Sequence, residues 1–314
     1  MRLAVGSAAG VGHTPRMIST DSSPELFLVD VFADRPCTGN PLAVVVGADP
    51  DQWPSERMQA FAREMNFSET TFAAATVRDG AYDVRIFTPS EELPFAGHPT
   101  LGTAWVLGHH VGAPQERARG VLLRLGVGVV RVEFEKTVEG ELVRMRPPAP
   151  RVGGEEDAAA MAAHLGLPAD AIDARFPCRR VNIGVEFVVV PLTGLAALAA
   201  CAPISLPSAV PGQMVGVLAL SPQPHDASGA LAVRVFFDAF GLREDPATGS
   251  AAACLAAYLS AERYLGDAAV NVCVQQGYEM GRPSRLYLEA IPQGDGAAVS
   301  VAGKVVAIAR GHLV

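Results

Sequence analysis

The chain has 314 residues, long enough for two domains of ordinary size, and 49% of them are hydrophobic, enough for a sizeable core. No uninterrupted apolar run approaches the roughly 20 residues that a bilayer-spanning helix needs. A formal net charge of −8 without a Lys/Arg cluster speaks against a nucleic-acid or anionic-membrane surface, so any anion must be bound locally.

Residues 1–24 are small and polar and read as a flexible extension, the fold starting at Leu26. Residues 26–32 alternate as a strand, the turn cluster Pro36 to Pro41 follows, and 42–46 form a second strand. Met58, Phe61, Ala62 and Met65 recur at helical spacing and predict an amphipathic helix over 55–65. Glu69 stands at the entry of a buried strand over 70–75. After the linker signal Pro147-Pro148-Ala149-Pro150 with Gly153-Gly154, a helix is predicted over 155–165, the centre of a strand pair over 181–190, a short helix over 195–200 and a strand over 215–220. Strands near 270–275, 284–290, 298–301 and 305–309 close the chain.

One segment occurs twice. Val84-Arg85-Ile86-Phe87 leads through an acidic, proline-bearing loop to Ala96-Gly97-His98-Pro99-Thr100, and Val233-Arg234-Val235-Phe236 leads through a similar loop to Ala247-Thr248-Gly249-Ser250. Each copy opens a run of small and apolar residues and predicts strand, loop, helix. A helix start presents N–H groups without intrahelical partners at the positive end of the dipole, so two such starts suggest one anion gripped between two similar domains. The predicted division is 25–146 and 151–285, with 286–314 returning to the first. Each half is strand-rich around one helix, which favours an α+β fold over a doubly wound one.

Several residues could carry chemistry. Glu69, between Phe67 and Phe72, would have a raised pKa if desolvated there, as suits a general base; it reads equally as a solvent-facing strand end. His98 can relay a proton or be a satisfied structural histidine. Asp245 can face a ligand, cap the second helix, or do both. The amide of the Thr38-Gly39-Asn40-Pro41 loop can line a cleft, or the loop can be plain turn chemistry. Arg282 can meet a ligand carboxylate or lie on the surface. Cys37, Cys178, Cys201, Cys254 and Cys273 are scattered, with neither C-x-x-C nor zinc-spaced histidine, and predict reduced thiols in a cytoplasmic protein without a metal site.

Val29-Asp30-Val31-Phe32 with Gly39-Asn40-Pro41, Asn66 through Phe72, Gly97-His98-Pro99-Thr100-Leu101-Gly102, Glu244 through Ser250, and Gln276-Gly277 through Arg282-Pro283 together resemble the PhzF-like proteins of the phenazine-biosynthesis isomerase family. The resemblance implies a diaminopimelate-epimerase-like fold, two domains each with a curved sheet or barrel around a central helix, and an active site in the cleft between them. It implies cofactor-independent isomerisation in which Glu69 moves a proton beside His98 and Asp245. The substrate carboxylate is expected on Gly97, Pro99, Thr100, Thr248, Gly249, Ser250 and Ala251, with Gly39, Asn40 and Ser68 nearby, in a homodimer. Two-base epimerases of this superfamily carry a cysteine at the start of each central helix; Ala96 and Ala247 look like the corresponding positions here, which favours a single carboxylate over two thiols. An epimerase, a racemase or a non-catalytic anion-binding protein of this fold stays open as an alternative.

Overall fold

A computed structural model describes residues 23–48, 53–203, 215–237 and 244–314. The predicted extension, up to residue 22, lies outside the described residues.

Strand Glu25–Val31 pairs antiparallel with Asn40–Val46, which runs parallel to Thr70–Arg78. Thr70–Arg78 is antiparallel to Ala81–Phe87; the latter also holds the short strand Glu92–Leu93 and runs parallel to Val121–Leu125. The antiparallel ladder Gly128–Thr137 and Gly140–Met145 follows. The second half repeats these relations in the same order. Cys178–Asn182 is antiparallel to Glu186–Pro191, which is parallel to Val215–Ser221, which is antiparallel to Leu231–Phe237. Leu231–Phe237 holds the short strand Glu244–Asp245 and runs parallel to Val270–Gln276, after which Ser284–Gln293 and Gly296–Gly303 continue antiparallel. Gly140–Met145 meets Gly296–Gly303 and joins the halves into one 18-stranded sheet.

One further strand closes each half. Arg151–Glu156 pairs with Cys178–Asn182, and Val305–His312 pairs with Glu25–Val31. Ser284–Gln293 and Gly296–Gly303 sit in the ladder of the second half, so among the described strands the segment that returns to Glu25–Val31 is shorter than 286–314. Alternation reveals a strand but not its partner, which is why the sequence reading drew the returning segment too long.

Each curl of sheet wraps one helix, Gly97–Val106 in the first half and Gly249–Ala261 in the second. Both are apolar around nearly their whole circumference, as fits helices enclosed on all sides. Gly102 lets the first approach its sheet: a Cβ there would meet Leu42 Cδ2 at 2.6 Å and Val31 Cγ2 at 2.8 Å. The amphipathic helix Ser55–Met65 lies outside this wrap, and Met58 and Ala62 pack with Trp53, Phe72 and Phe87 in a separate cluster.

The sequence reading missed local detail where glycine or proline masks an element. Gly153 and Gly154 lie inside strand Arg151–Glu156; the helix expected from residue 155 is the shorter Ala158–His164, capped by Asp157, whose Oδ1 accepts the Ala160 N–H at 2.7 Å. The strand pair expected over 181–190 is Cys178–Asn182 and Glu186–Pro191, joined by a turn at 183–185. The first central helix continues as a π-helical turn, Leu107–Val111, before the short helix Pro114–Arg119.

Candidate active site

The two central helices meet at their N-termini. Their first residues are Gly97 and Gly249, and a Cβ added to Gly97 would lie 2.9 Å from Gly249 Cα. The preceding residues, Ala96 and Thr248, are extended and make no side-chain cap. First-turn amides lack intrahelical acceptors, so both positive helix ends converge at one point. Beside it opens a cavity of about 420 Å³ lined by Gly97, His98, Thr248, Gly249 and Ser250 together with Ser68, Glu69 and Asp245.

Glu69 directly precedes strand Thr70–Arg78, and its side chain keeps 16% of its exposure. Its Oε2 lies 3.5 Å from His98 Nε2, and both atoms are buried without a hydrogen-bond partner among the described residues. Burial lifts the Glu69 carboxyl to about 8, and the charge of Asp245 adds to the rise. Burial drives the His98 imidazole down to about 3, although the ring's bond to the Pro41 carbonyl works the other way. Asp245 rises to about 6, again chiefly by burial, opposed by bonds from Thr248, Asn40 and Ser68. At neutral pH the site therefore holds a largely protonated Glu69, a neutral His98 and a largely ionised Asp245.

The expected bracketing of Glu69 by Phe67 and Phe72 does not occur in the cavity. Side chains alternate along a strand, and Phe72 points to the outer cluster, its ring 5.7 Å from Trp53 and 5.5 Å from Phe87. Phe67 is half-buried and is not among the described lining residues.

The internal repeat gives a position-by-position comparison of the halves. Phe87 pairs with Glu92 and Ile86 with Leu93, just as Phe236 pairs with Glu244 and Val235 with Asp245. The ion pair Arg85–Glu92 recurs as Arg234–Glu244. In this register Leu93 answers to Asp245, Ala96 to Thr248, Gly97 to Gly249 and His98 to Ser250. The counterpart of Ala96 is thus Thr248 rather than Ala247, because both short strands stand the same distance before their helix; neither position carries a thiol. Thr70 pairs with Phe87 and Val217 with Phe236, so Glu69 answers to Gly216. A Cβ at Gly216 would lie 2.6 Å from Phe187 Cδ1 and 3.0 Å from Phe237 Cε1, leaving no space for a second acid.

Of the other expected site residues, Gly39, Asn40, Pro99, Thr100 and Ala251 are not among the cavity-lining ones. The Gly39 amide donates to Pro283 at 3.2 Å, and the Gly39 carbonyl accepts from Arg282 Nε at 2.7 Å. Asn40 lies behind the wall, bonded to Asp245 and the Ala247 carbonyl. Pro99 has no N–H to offer, and Thr100 Oγ1 donates to the Ala96 carbonyl at 2.7 Å. Asp245 caps no helix: its Oδ2 accepts from Thr248 Oγ1 at 2.5 Å. Arg282 pairs with buried Asp30 at 2.6 Å and is not among the cavity-lining residues. Gln276 binds both the Thr248 amide and the Asp245 carbonyl, fixing the entry to the second helix.

The apolar wall, formed by Leu93, Phe95, Val127, Ile183, Val185 and Phe237, was not among the expected site residues. Two signals were available: the Asn182-Ile183-Gly184 turn, where the Gly184 amide donates to Asn182 Oδ1 at 2.8 Å, and Phe237, which extends the second copy of the repeat.

Residues 29–311 match the model of a family described as phenazine biosynthesis-like protein. A trans-2,3-dihydro-3-hydroxyanthranilate isomerase from Pseudomonas aeruginosa is 38% identical over 91% of this chain and 97% of its own length. An uncharacterized isomerase from Mesorhizobium japonicum is 34% identical over 91% and 97%. Among solved structures, a PhzF-family phenazine biosynthesis protein from Bacillus anthracis superposes with a TM-score of 0.80 at 23% identity, covering 93% of this chain and 99% of that one. A predicted epimerase from Pseudomonas aeruginosa gives 0.71 at 32% identity with the same coverage.

Proposed function

The chain belongs to the PhzF-like family of isomerases, and on that premise we propose that it moves a proton within a small ring carboxylate, of the trans-2,3-dihydro-3-hydroxyanthranilate kind, with Glu69 as the single acid–base group and no cofactor. The observation that carries this reading is the asymmetry of the repeat: Glu69 faces the helix ends in one half, and Gly216, walled by Phe187 and Phe237, holds its place in the other. A carboxylate on one side of the cavity can take a proton from one carbon and return it to another on the same face. Inversion would need a second base opposite.

In this reading the substrate carboxylate sits at the helix ends, each contributing about 0.3 to 2 kcal/mol to its binding. The ring lies along Phe95 and Phe237. Charge that develops when the C–H proton leaves meets amides already aimed at it, and one preorganised donor of that kind is worth about 3 to 4 kcal/mol in a transition state. A carboxylate with a pKa near 8 is a stronger base than an ordinary one, and His98 Nε2, 3.5 Å away, is placed to share its proton.

Incubation with trans-2,3-dihydro-3-hydroxyanthranilate in D2O, followed by NMR, tests the proposal. Migration of the double bond, lost in Glu69→Gln, is the expected result. Inversion of one stereocentre with deuterium uptake would mark an epimerase, and binding without any exchange would mark a binding protein; either overturns the reading.

We further propose two domains, 25–146 with Val305–His312 and 151–303, in a cytoplasmic homodimer. The five cysteines are all unpaired, as suits a reducing compartment, and Val129, 57% exposed and outside the active-site cavity, offers apolar surface for a second copy. A monomeric mass by light scattering at micromolar concentration would end the dimer proposal.

A further inference from the structure

Asn40 is fully buried at the first position of strand Asn40–Val46. Gly39 before it adopts φ +66°, and a Cβ there would lie 2.3 Å from the Val31 carbonyl, so the chain is pinned at this point. The Asn40 side chain reaches from the first half into the second. Its Nδ2 donates to Asp245 Oδ1 and to the Ala247 carbonyl, both at 2.9 Å, and stands 3.3 Å from His98 Nδ1. Its Oδ1 is buried without a partner among the described residues.

An amide nitrogen carries two hydrogens, and the two shorter contacts use both. Turning the amide over would aim its oxygen at a carboxylate and a carbonyl, both acceptors, so the partners dictate its orientation. That orientation requires Asp245 to accept at Oδ1. Asp245 also accepts from Thr248 Oγ1 at 2.5 Å and faces Ser68 Oγ at 3.5 Å, whereas Glu69 Oε2 has no such donor. Two carboxyl groups in one cavity resist ionising together, and the charge settles on the one with more donors. The other ionisable groups around them are neutral His98, Glu244 paired with Arg234, and the Asp30–Arg282 pair beside the Gly39 turn.

We infer that Asn40 is a positioning residue: by donating across the seam between the halves it holds Asp245 as the ionised partner and leaves the shared proton on Glu69. This deepens the reading of Glu69 as the acid–base group and rests on it for its catalytic meaning, but the test needs no substrate. Full-length protein labelled with 13C at Asp and Glu carboxyl carbons and 15N at Asn is titrated by NMR, with Glu69→Gln, Asp245→Asn and Asn40→Leu giving the assignments. In the wild type, Asp245 should release its proton at lower pH than Glu69, and the Asn40 side-chain amide protons should shift together with Asp245. In Asn40→Leu the Asp245 midpoint should rise by about one pH unit and the Glu69 midpoint should fall; Asn40→Ser repeats the measurement with a smaller side chain. The inference is overturned if Asp245 has the higher midpoint in the wild type, if the Asn40 amide ignores its titration, or if a folded Asn40→Leu leaves the Asp245 midpoint in place. The wild-type arms decide the matter even where residue-40 variants do not fold. A failure to turn over the ring carboxylate would count against the proposed function and leave these titrations standing.

Discussion

Gly97 and Gly249 touch backbone to backbone, so that a Cβ on Gly249 would lie 3.1 Å from Gly97 Cα and 3.4 Å from the His98 nitrogen. Two helix N-termini thus meet head to head, each with the equivalent of roughly half a positive charge. That juxtaposition is unfavourable when nothing negative lies beside it. Asp245, a member of the adjoining short strand, supplies part of the compensation, and a bound carboxylate would supply more.

Gly97→Ala tests the contact. The nearest neighbours of the new methyl are backbone atoms of Gly249 and Ser250, which cannot swing aside like a flexible side chain. The helix ends must separate, at a cost of about 1 to 3 kcal/mol in stability. Turnover should fall more than tenfold, because the anion-binding amides move with the helices. Calorimetry and steady-state kinetics on the folded variant check both effects, and a variant with wild-type stability and activity would refute the close contact.

Arg282 ties the loop after Glu25–Val31 to the far end of the chain. Its guanidinium donates to Asp30 Oδ1 at 2.6 Å and to the Thr38 and Gly39 carbonyls at 2.8 and 2.7 Å. Arg282→Ala strands the Asp30 carboxylate, whose side chain is 4% exposed, with the Cys37 amide as its remaining donor. A loss of about 2 to 4 kcal/mol is expected in denaturant melts, discounted because Arg282 itself is partly exposed. Arg282→Lys should recover little of it, since one ammonium cannot reach all three acceptors in that fork.

Local patterns were legible in the sequence, and partners were not. The helix Ser55–Met65 followed from four apolar residues at helical spacing, and the repeat announced two equivalent helices. The equivalence Ala96–Thr248 escaped because the two loops differ in length, and the shared register appears only once Glu92 and Glu244 are seen pairing with Phe87 and Phe236. The environment of Glu69 was not legible from its sequence neighbours, because Phe72, three residues along, packs on the outer cluster with Trp53 and Phe87. The cavity wall, drawn from segments as distant as 93–95, 183–185 and 237, depends on strand pairing that no local window contains.

Glu69→Gln keeps the shape of the side chain and removes its proton chemistry. Isomerisation should drop by about 10²- to 10⁴-fold, while the dissociation constant for a non-reacting ring carboxylate stays within a few-fold of wild type. His98→Asn should lower turnover less, because neutral His98 shares a proton that Glu69 moves. Stopped-flow turnover with calorimetric binding separates the two quantities. Loss of binding equal to the loss of turnover would show that Glu69 holds the substrate and does not act on it.

The same carboxyl links activity and stability to pH in opposite directions. Folding raises Glu69 from 4.5 to about 8, so between those values the folded chain keeps a proton that the unfolded chain has released, and stability falls as pH rises through the window. Asp245, raised from 3.8 to about 6, acts in the same direction at lower pH. His98, lowered from 6.5 to about 3, does the reverse: its contribution is present above 6.5 and is lost as pH falls toward 3. Above about pH 6.5 Glu69 therefore dominates among these three groups, and the wild type should lose roughly 1 to 2 kcal/mol between pH 6.5 and 8.5. Glu69→Gln should lose markedly less, its melting temperature overtaking that of the wild type as pH rises. Over the same interval kcat/KM of the wild type should climb as the base ionises. Parallel melting curves for the two proteins across this range would show that Glu69 enters the fold already ionised.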